Sequence, residues 1–302
     1  MKEPSVEILL VDAFTVEPFA GNPAGVVLEA GDLTDAQMLA IAREMHASRT
    51  AFVTAMEDDG VRLRCFGPAG EVAFCDHAGV AVLSALVRRG RIRVEDEPVT
   101  TALLTRAGRV GAELRPHPAA GVEVVLTCPP PRFRSFGYSL DLLCGILGMD
   151  RYQLPERWPL GVVSAGAWCL VVPATTRDVV DSARPDFASL AQLCEKLQAE
   201  AAMLYTWQGP VDLYLRGFAP GAGVPEDPVT AAGIAAVAAL VVRERAVQLN
   251  PPETTLTAEQ GTAMGRPGHL PLTVRHDRED IEWVRIAGTA VEVLEGRIRV
   301  QE

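Results

Sequence analysis

Residues 216–245 read RGFAPGAGVPEDPVTAAGIAAVAALVVRER, and this stretch predicts three consecutive structural features. A strand ends near Phe218, a loop rich in Gly and Pro carries Glu226 and Asp227, and a continuous Ala/Val/Ile/Leu helix follows Thr230. Thr230 is a typical N-cap residue, and the first amides of a helix have no acceptor within the helix. We therefore expect that a small anion can bind these amides while a nearby carboxylate transfers a proton.

A second stretch with the same design lies in the first half of the chain. Residues 65–89 read CFGPAGEVAFCDHAGVAVLSALVRR, in which a Phe-Gly-Pro triplet, a polar loop and an apolar helix ending in two arginines succeed one another. The two stretches are separated by about half of the 302 residues, which indicates an internal duplication. We predict two similar lobes, each with one polar loop, and a site in the cleft between them.

Composition narrows the class of protein. The net charge of −11 argues against a nucleic-acid partner, whose binding sites are basic. There is no apolar run long enough to cross a membrane and no signal-peptide pattern at the start, so we expect a cytoplasmic protein. The six cysteines form no C-x-x-C pair, and we expect neither a metal site nor a disulfide framework.

The order of predicted elements indicates an α+β fold with many strands and few long helices. Helices are predicted at 34–45, 78–89, 139–147, 187–199 and 230–245. The sequence PHPAAG at 116–121 is the predicted boundary between an N-terminal lobe, 1–117, and a C-terminal lobe, 121–286. The last strand, within 287–302, is expected to return to the first lobe.

Five segments in order resemble the PhzF (phenazine biosynthesis-like) family of the diaminopimelate epimerase-like superfamily. They are VDAFTVEPFAGNPAGVVL at 11–28, IAREMHASRTAFV at 41–53, FGPAGEVAFCDHAG at 66–79, FAPGAGVPEDPVTAAG at 218–233 and QGTAMGRPG at 260–268. The resemblance implies two pseudo-symmetric lobes, each a curved sheet or barrel wrapped around a central helix. It also implies a homodimer that works without cofactor or metal. The activity that it implies is isomerisation of a dihydro-3-hydroxyanthranilate by removal and return of a proton.

The chain departs from the family pattern at three places. Where the family has its main acid/base Glu, this sequence has Arg49 within Ser-Arg-Thr. A Gly-Ser pair that helps the family to bind substrate is replaced by Ala231 and Ala232. In the first polar loop the family's Ala-Gly-His-Pro is Cys75-Asp76-His77-Ala78 here, and the thiol-using racemases of the superfamily have their first catalytic thiol at the position of Cys75.

Four residues are the candidate acid/base groups. Asp76 is either a relocated base that replaces the lost Glu or the N-cap of the helix that follows it. His77 is a candidate proton shuttle, and Asp227 is either a second acid/base or a cap of the 230–245 helix. Cys75 is either a thiolate base, favoured by the helix N-terminus and by Arg49, or a small buried residue.

A second group of residues is expected to bind the substrate. Arg49 cannot act as a base because its guanidinium stays protonated, so it is either a ligand for a carboxylate or an ordinary surface arginine. The backbone amides of the 230–233 segment are expected to bind the same carboxylate. The complete set of predicted binding residues is His46, Ser48, Arg49, Thr230, Ala231, Ala232 and Gly233.

Three functions remain open from the sequence. The first is a cofactor-independent isomerase that moves a proton, and with it a double bond, in a small cyclic carboxylate of antibiotic biosynthesis. An alkylated pyrroline or proline precursor and a dihydrohydroxyanthranilate-like acid are the candidate substrates. The second is a non-catalytic homologue that binds a small acid or a protein, and the third is an amino-acid epimerase or racemase with one thiol. Flavin or nicotinamide binding lacks the G-x-G-x-x-G signal.

Overall fold

The computed structural model describes residues 5–207, 211–277 and 280–300. The strands are β1 (Ser5–Ala13), β2 (Asn22–Val27), β3 (Arg49–Glu57), β4 (Gly60–Gly67), β5 (Gly70–Val72), β6 (Val99–Thr105), β7 (Gly108–His117), β8 (Gly121–Thr127), β9 (Arg132–Arg134), β10 (Gly161–Ser164), β11 (Trp168–Pro173), β12 (Ala201–Thr206), β13 (Leu213–Ala219), β14 (Val224–Asp227), β15 (Glu253–Gln260), β16 (Gly268–His276), β17 (Ile281–Gly288) and β18 (Ala290–Arg299). The α-helices are α1 (Asp35–Glu44), α2 (Asp76–Arg88), α3 (Leu140–Leu147), α4 (Arg177–Ser182), α5 (Phe187–Leu197) and α6 (Ala231–Arg243). This confirms the predicted sheet-rich α+β class.

The chain divides into two compact units. The first unit comprises Met1–Thr127 and Ala287–Glu302, and the second comprises Cys128–Ile286. Strand β8, which we expected to begin the second lobe, falls within the first unit, where its residues 121–126 pair antiparallel with β7. The pseudo-symmetric, duplicated character of the lobes stays a prediction.

The first unit contains α2 as a helix that is apolar on almost every side. Strand β1 pairs antiparallel with β2 and with β18, β2 continues in parallel with β3, and β3 pairs antiparallel with β4. Residues 77–86 of α2 are all buried, and the helix contacts β1, β2, β3, β8 and β18. Gly79 allows this packing, because a Cβ there would lie 2.7 Å from Cδ1 of Leu103.

The second unit contains α6 in a similar apolar environment. Eleven of its residues are buried, and the helix contacts β10, β11, β12, β13, β15 and β16. Some of these strands pair in parallel and others antiparallel. For example, β11 pairs with β12 in parallel, and β12 pairs with β13 antiparallel. At Gly233 a Cβ would lie 2.4 Å from Sδ of Met203, so the helix is in close contact with the sheet there.

The predicted helices are found with small shifts at their ends. The capping box predicted at Thr34 is present, because the Thr34 side chain accepts from the amide of Gln37 while the Gln37 side chain accepts from the amide of Thr34. Helix α2 begins at Asp76 rather than at residue 78. The short helix α4 was missed, since six residues are too few for a helical period to stand out in the sequence. Within the described ranges we find no helix with the length and apolarity that membrane crossing requires.

Candidate active site

The N-terminus of α2 carries three of the predicted acid/base groups. Cys75 is the N-cap residue with an extended backbone, and its carbonyl accepts the first helical hydrogen bond from the amide of Gly79 at 3.0 Å. Asp76 lies in the first turn, where the positive end of the helix dipole favours a carboxylate. Asp76 is therefore not the N-cap, which was the structural alternative that the sequence left open.

His77 is the centre of a cluster of polar side chains within the first unit. The residue is 5% exposed, and both ring nitrogens have polar neighbours. Nδ1 lies 3.1 Å from Sγ of Cys75 and 3.3 Å from Nδ2 of Asn22. Nε2 lies 3.3 Å from Oγ of Ser48, whose hydroxyl donates to Oδ1 of Asn22 at 3.5 Å. The structure thus brings together the predicted residues Cys75, His77 and Ser48 and adds Asn22, which the sequence did not single out.

The environment of His77 keeps its imidazole neutral. Burial, and secondarily the positive charge of Arg49, lowers the pKa of His77 to about 3. A neutral imidazole can still accept at one nitrogen and donate at the other, so it can orient hydrogen bonds. It is poorly suited to hold a proton as an imidazolium at neutral pH.

Arg49 is the first residue of β3 and is half-buried. Its Nη1 donates to the carbonyl oxygen of Ser48 at 2.6 Å, and the guanidinium lies against Gly67, where a Cβ would be 3.0 Å from Nη1. In the described part of the chain, Arg49 makes no ion pair with a carboxylate. A guanidinium with unused donors beside a thiol and an imidazole is a suitable ligand for a small carboxylate.

The second unit has its own polar cluster, where β14 leads into α6. The hydroxyl of Thr230 donates to Oδ2 of Asp227 at 2.9 Å, and Nε2 of Gln260 donates to the carbonyl oxygen of Asp227 at 2.8 Å. The amide of Thr230 donates to Oε1 of Gln260 at 3.2 Å. Gln260 is 0% exposed, so a buried carboxamide fixes both Asp227 and Thr230.

These contacts correct the predicted role of Thr230. It occupies the N-cap position, but its side chain makes no capping hydrogen bond, since it is turned to Asp227. Its amide is already used by Gln260. The amides of Ala231, Ala232 and Gly233, in the first turn of α6, are the donors that remain of the predicted anion site.

Each unit also contains one ion pair with two hydrogen bonds close to its polar loop. Arg64 donates to both carboxylate oxygens of Glu71 at 2.9 and 2.8 Å, and Arg216 donates to both oxygens of Glu226 at 2.7 and 2.8 Å. The pairing with Arg64 lowers the pKa of Glu71. Both glutamates are therefore held by an arginine beside the polar loop of their unit.

His46 is placed differently from the expectation. It is exposed, follows the C-cap of α1 and adopts a left-handed backbone with φ 51. Its amide donates to the carbonyl oxygen of Arg43, and within the described residues no hydrogen bond links its side chain with the His77 cluster. The expected binding role of His46 stays a prediction without support from these contacts.

Comparison with known proteins gives the class and the family of this sheet-rich α+β protein. The model of the phenazine biosynthesis-like protein family, PhzC-PhzF, matches residues 11–296, and the chain belongs to this family. It is 35% identical over 289 residues to an uncharacterized isomerase of Deinococcus radiodurans, covering 95% of this chain and 92% of the relative. It is 27% identical over 294 residues to trans-2,3-dihydro-3-hydroxyanthranilate isomerase of Pseudomonas aeruginosa, covering 96% and 98%.

Solved structures agree with this assignment. A Bacillus anthracis phenazine biosynthesis protein of the PhzF family superposes with a TM-score of 0.89 at 27% identity, covering 98% of this chain and 99% of the other. A hydroxyproline epimerase from Agrobacterium vitis shares the fold, with a TM-score of 0.67 at 12% identity and coverage of 97% and 92%. The relatives are isomerases, and the protein is an isomerase of the PhzF type.

Proposed function

We propose that the protein is a cofactor-independent isomerase that moves a proton, and with it a double bond, in a small cyclic carboxylate of antibiotic biosynthesis. The observation that carries the proposal is the cluster at the start of α2, where the thiol of Cys75, the neutral ring of His77 and the half-buried guanidinium of Arg49 belong to one group of contacts. Acid/base groups beside a fixed cation are what proton transfer next to a carboxylate requires.

Arg49 is the proposed ligand of the substrate carboxylate. Proton removal from a carbon next to a carboxylate builds negative charge on the substrate, and a fixed guanidinium stabilises that charge without reorganisation. Its hydrogen bond to Ser48 O leaves other guanidinium donors to point at a ligand. This replaces the acid/base Glu of the family with a binding residue, so the proton transfer must be carried by other groups.

Cys75, Asp76 and Asp227 are the proposed carriers of the proton. Asp76 lies in the first turn of α2, where the helix dipole favours a carboxylate, and the thiol of Cys75 is positioned by a direct contact with His77. His77 serves as a neutral hydrogen-bonding partner. Asp227 is held by Thr230 and Gln260 and is the candidate for returning the proton.

The proposed substrates are cyclic acids in which a carbon-bound proton is acidic. One class resembles the dihydrohydroxyanthranilate that the Pseudomonas aeruginosa relative is named for. The other is an alkylated pyrroline or proline precursor, whose ring size also suits a compact site with one guanidinium. Both carry the single carboxylate that Arg49 would bind.

A second candidate is an amino-acid epimerase with one thiol. The contact of 3.1 Å between Sγ of Cys75 and Nδ1 of His77 favours it, because a thiol in hydrogen-bond contact with an imidazole is a competent carrier for an α-proton. In this reaction Cys75 exchanges one proton with the α-carbon, and a group such as Asp227 exchanges the other.

Exchange of carbon-bound hydrogen in heavy water tests both candidates. The protein is incubated in D₂O with trans-2,3-dihydro-3-hydroxyanthranilate, an alkylated pyrroline carboxylate, proline or trans-4-hydroxyproline, and loss of the C–H signal is followed by NMR. Exchange with migration of a double bond supports the isomerase, and exchange at the α-carbon alone supports the epimerase. Binding of these acids without any exchange would instead support a non-catalytic homologue.

Variants identify the group that carries the proton. Cys75→Ala and Asp76→Asn are compared with Asp141→Asn, which removes a matched first-turn carboxylate from α3 of the second unit. If exchange persists in Cys75→Ala but is lost in Asp76→Asn, the relocated carboxylate is the base. The opposite result assigns the base to the thiol.

A further inference from the structure

Asn22 forms a closed ring of hydrogen bonds with Ser48 and His77. The carboxamide nitrogen of Asn22 contacts Nδ1 of His77 at 3.3 Å, and Nε2 of the same ring contacts the hydroxyl of Ser48 at 3.3 Å. The ring closes where Ser48 donates to Oδ1 of Asn22 at 3.5 Å. Asn22 is 0% exposed and was not among the residues that the sequence pointed to.

The donor and acceptor properties of the three groups fix the direction of this ring. A carboxamide nitrogen only donates, so Nδ1 must accept from Asn22. The proton of the neutral imidazole is then on Nε2, which donates to Oγ of Ser48. The Ser48 hydroxyl can therefore donate to Oδ1 of Asn22. In the reverse direction a protonated Nδ1 would face the N–H of Asn22, and Oδ1 would face an oxygen without a hydrogen. In the first arrangement each of these three contacts joins a donor to an acceptor.

The backbone holds these groups in place. Asn22 is the first residue of β2 and pairs with Ala13 of β1, directly after Gly21, whose φ is +59 and where a Cβ would collide with the carbonyl oxygen of Ala13. Ser48 immediately precedes β3, which is paired with β2. Helix α2, which carries His77, contacts β2 as well. The ring is therefore built on three elements that contact one another.

We propose that Asn22 is a positioning residue that locks His77 in the tautomer protonated on Nε2, so that the Nδ1 lone pair faces Cys75 and accepts the thiol hydrogen. The inference deepens the proposed function, since it defines the resting state of one of the proposed proton carriers. Cys75 is held as a thiol with its hydrogen directed to His77, and it is not the thiolate of a Cys–His ion pair.

Arg49, like Asn22, disfavours transfer of the Cys75 proton to His77. The groups that face the imidazole of His77 are the thiol of Cys75 and the neutral side chains of Asn22 and Ser48, and the charge that acts on it is that of Arg49. Arg49 disfavours an imidazolium, and burial disfavours it more strongly. The protein thus combines an amide donor and a nearby cation, both of which oppose transfer of the Cys75 proton to His77.

The tautomer can be measured without a substrate. Long-range ¹H–¹⁵N correlation spectra of uniformly ¹⁵N-labelled protein at pH 7 distinguish protonated from unprotonated ring nitrogens, and His77→Asn identifies the signals of His77 among the five histidines. We expect an unprotonated Nδ1 and a protonated Nε2 in the unaltered protein. A protonated Nδ1 in that spectrum would overturn the proposal, whatever the behaviour of any variant. Because no activity is involved, failure of the proposed function would leave this result intact.

Asn22→Asp tests whether the amide donor of Asn22 sets the tautomer of His77. The substitution keeps the shape of the side chain but replaces the donor with an acceptor, so Nδ1 should become protonated and donate to both the new carboxylate and Sγ of Cys75. A donor at the sulfur favours the thiolate, and we expect the rate of Cys75 alkylation by iodoacetamide at pH 7 to rise about tenfold. Ser48→Ala is the matched control, since it breaks the ring but leaves the Asn22 donor, and it should keep the tautomer. An unchanged tautomer in Asn22→Asp, or a reversed one in Ser48→Ala, contradicts the assignment.

Discussion

The sulfur of Cys75 lies 3.1 Å from Nδ1 of His77, and the two residues occupy the N-cap and the first turn of the same helix. The contact joins a thiol that is partly exposed to an imidazole that is almost completely buried. A reagent or substrate can therefore reach the sulfur from one side while the ring fixes its hydrogen from the other. The rate at which a reagent modifies Cys75 therefore reports directly on the contact between its thiol and His77.

Iodoacetamide should modify Cys75 selectively in the folded protein. The other five cysteines are buried, and burial also raises the pKa of Cys65, Cys144 and Cys194, which keeps those thiols protonated. Mass spectrometry of the native protein should show one added carboxamidomethyl group, and Cys75→Ala should show none. If Cys75 carries the proton, the modified protein loses catalysis by about a hundredfold or more, the typical contribution of an acid/base group. Full activity after complete modification would assign the chemistry to a carboxylate.

Replacement of Arg49 should weaken binding of the substrate. Hydrogen bonds to charged groups contribute about 1.5–3 kcal/mol, so Arg49→Ala should raise KM by about 10- to 100-fold. Arg49→Lys keeps the charge but cannot form two parallel hydrogen bonds. Its KM should therefore lie between those of the unaltered protein and Arg49→Ala. Steady-state kinetics and calorimetric titration with the same acid check this. Arg62→Ala, an exposed arginine of β4 that pairs with Glu57, is the control and should leave KM unchanged. An unchanged kcat/KM and an unchanged affinity for the acid in Arg49→Ala would contradict the anchoring role.

The buried, neutral state of His77 should make stability depend on pH. Burial and Arg49 lower the pKa of His77 to about 3 from 6.5, so below pH 6.5 the unfolded chain binds a proton that the folded protein does not. Protons bound only by the unfolded state favour unfolding, and the contribution of His77 is lost progressively as the pH falls from 6.5 to about 3. The limiting slope is about 1.4 kcal/mol of unfolding free energy per pH unit.

Urea unfolding between pH 7 and 5 isolates this effect. The folded protein lowers the pKa of carboxylates such as Asp35 and Glu71, whose ordinary values are 3.8 and 4.5. These groups therefore change protonation mainly below pH 5. His77→Gln should flatten the pH dependence, and His46→Gln, which replaces an exposed histidine, should retain it. An equal slope in the protein and in His77→Gln would show that His77 is not the group responsible.

The sequence predicted the parts of the site that depend on local pattern. The two polar loops before apolar helices were visible as a repeat, and they contain Cys75, His77 and Asp227. The structure adds that Arg64–Glu71 and Arg216–Glu226 repeat the same kind of ion pair beside these loops. Helix starts were predicted to within a few residues, because capping and apolar periodicity are local properties.

The two buried carboxamides could not be predicted in this way. Asn22 lies 55 residues from His77, and Gln260 lies 33 residues from Asp227, so their hydrogen bonds depend on the pairing of distant strands. Gly-Asn-Pro at 21–23 predicted only a turn, and Gln-Gly at 260–261 contributed only to the family resemblance. Thr230 shows the same limit at its amide, which donates to the distant Gln260, whereas its hydroxyl donates to Asp227, only three residues earlier.

Gln260 should be as important for the second polar cluster as any charged residue in it. Its buried side chain donates to the carbonyl oxygen of Asp227, accepts from the amide of Thr230 and lies 3.3 Å from the Thr230 hydroxyl. Gly217 leaves the space for it, because a Cβ there would be 2.7 Å from Nε2 of Gln260. Gln260→Ala leaves buried partners unsatisfied, which costs about 1–3 kcal/mol for each group.

We expect Gln260→Ala to lower the free energy of unfolding by about 2–6 kcal/mol, from two unsatisfied buried groups at that cost. If Asp227 returns the proton, activity should fall beyond the loss of folded protein, because the carboxylate and the start of α6 lose their common support. Chemical unfolding and the D₂O exchange rate, measured at a temperature where the variant is folded, separate these effects. Gln153→Ala is the control, since that glutamine caps a short surface helix through an exposed hydrogen bond and should cost about 1 kcal/mol or less without a change in exchange. A folded Gln260→Ala protein with an unaltered exchange rate would remove Asp227 from the proposed proton carriers.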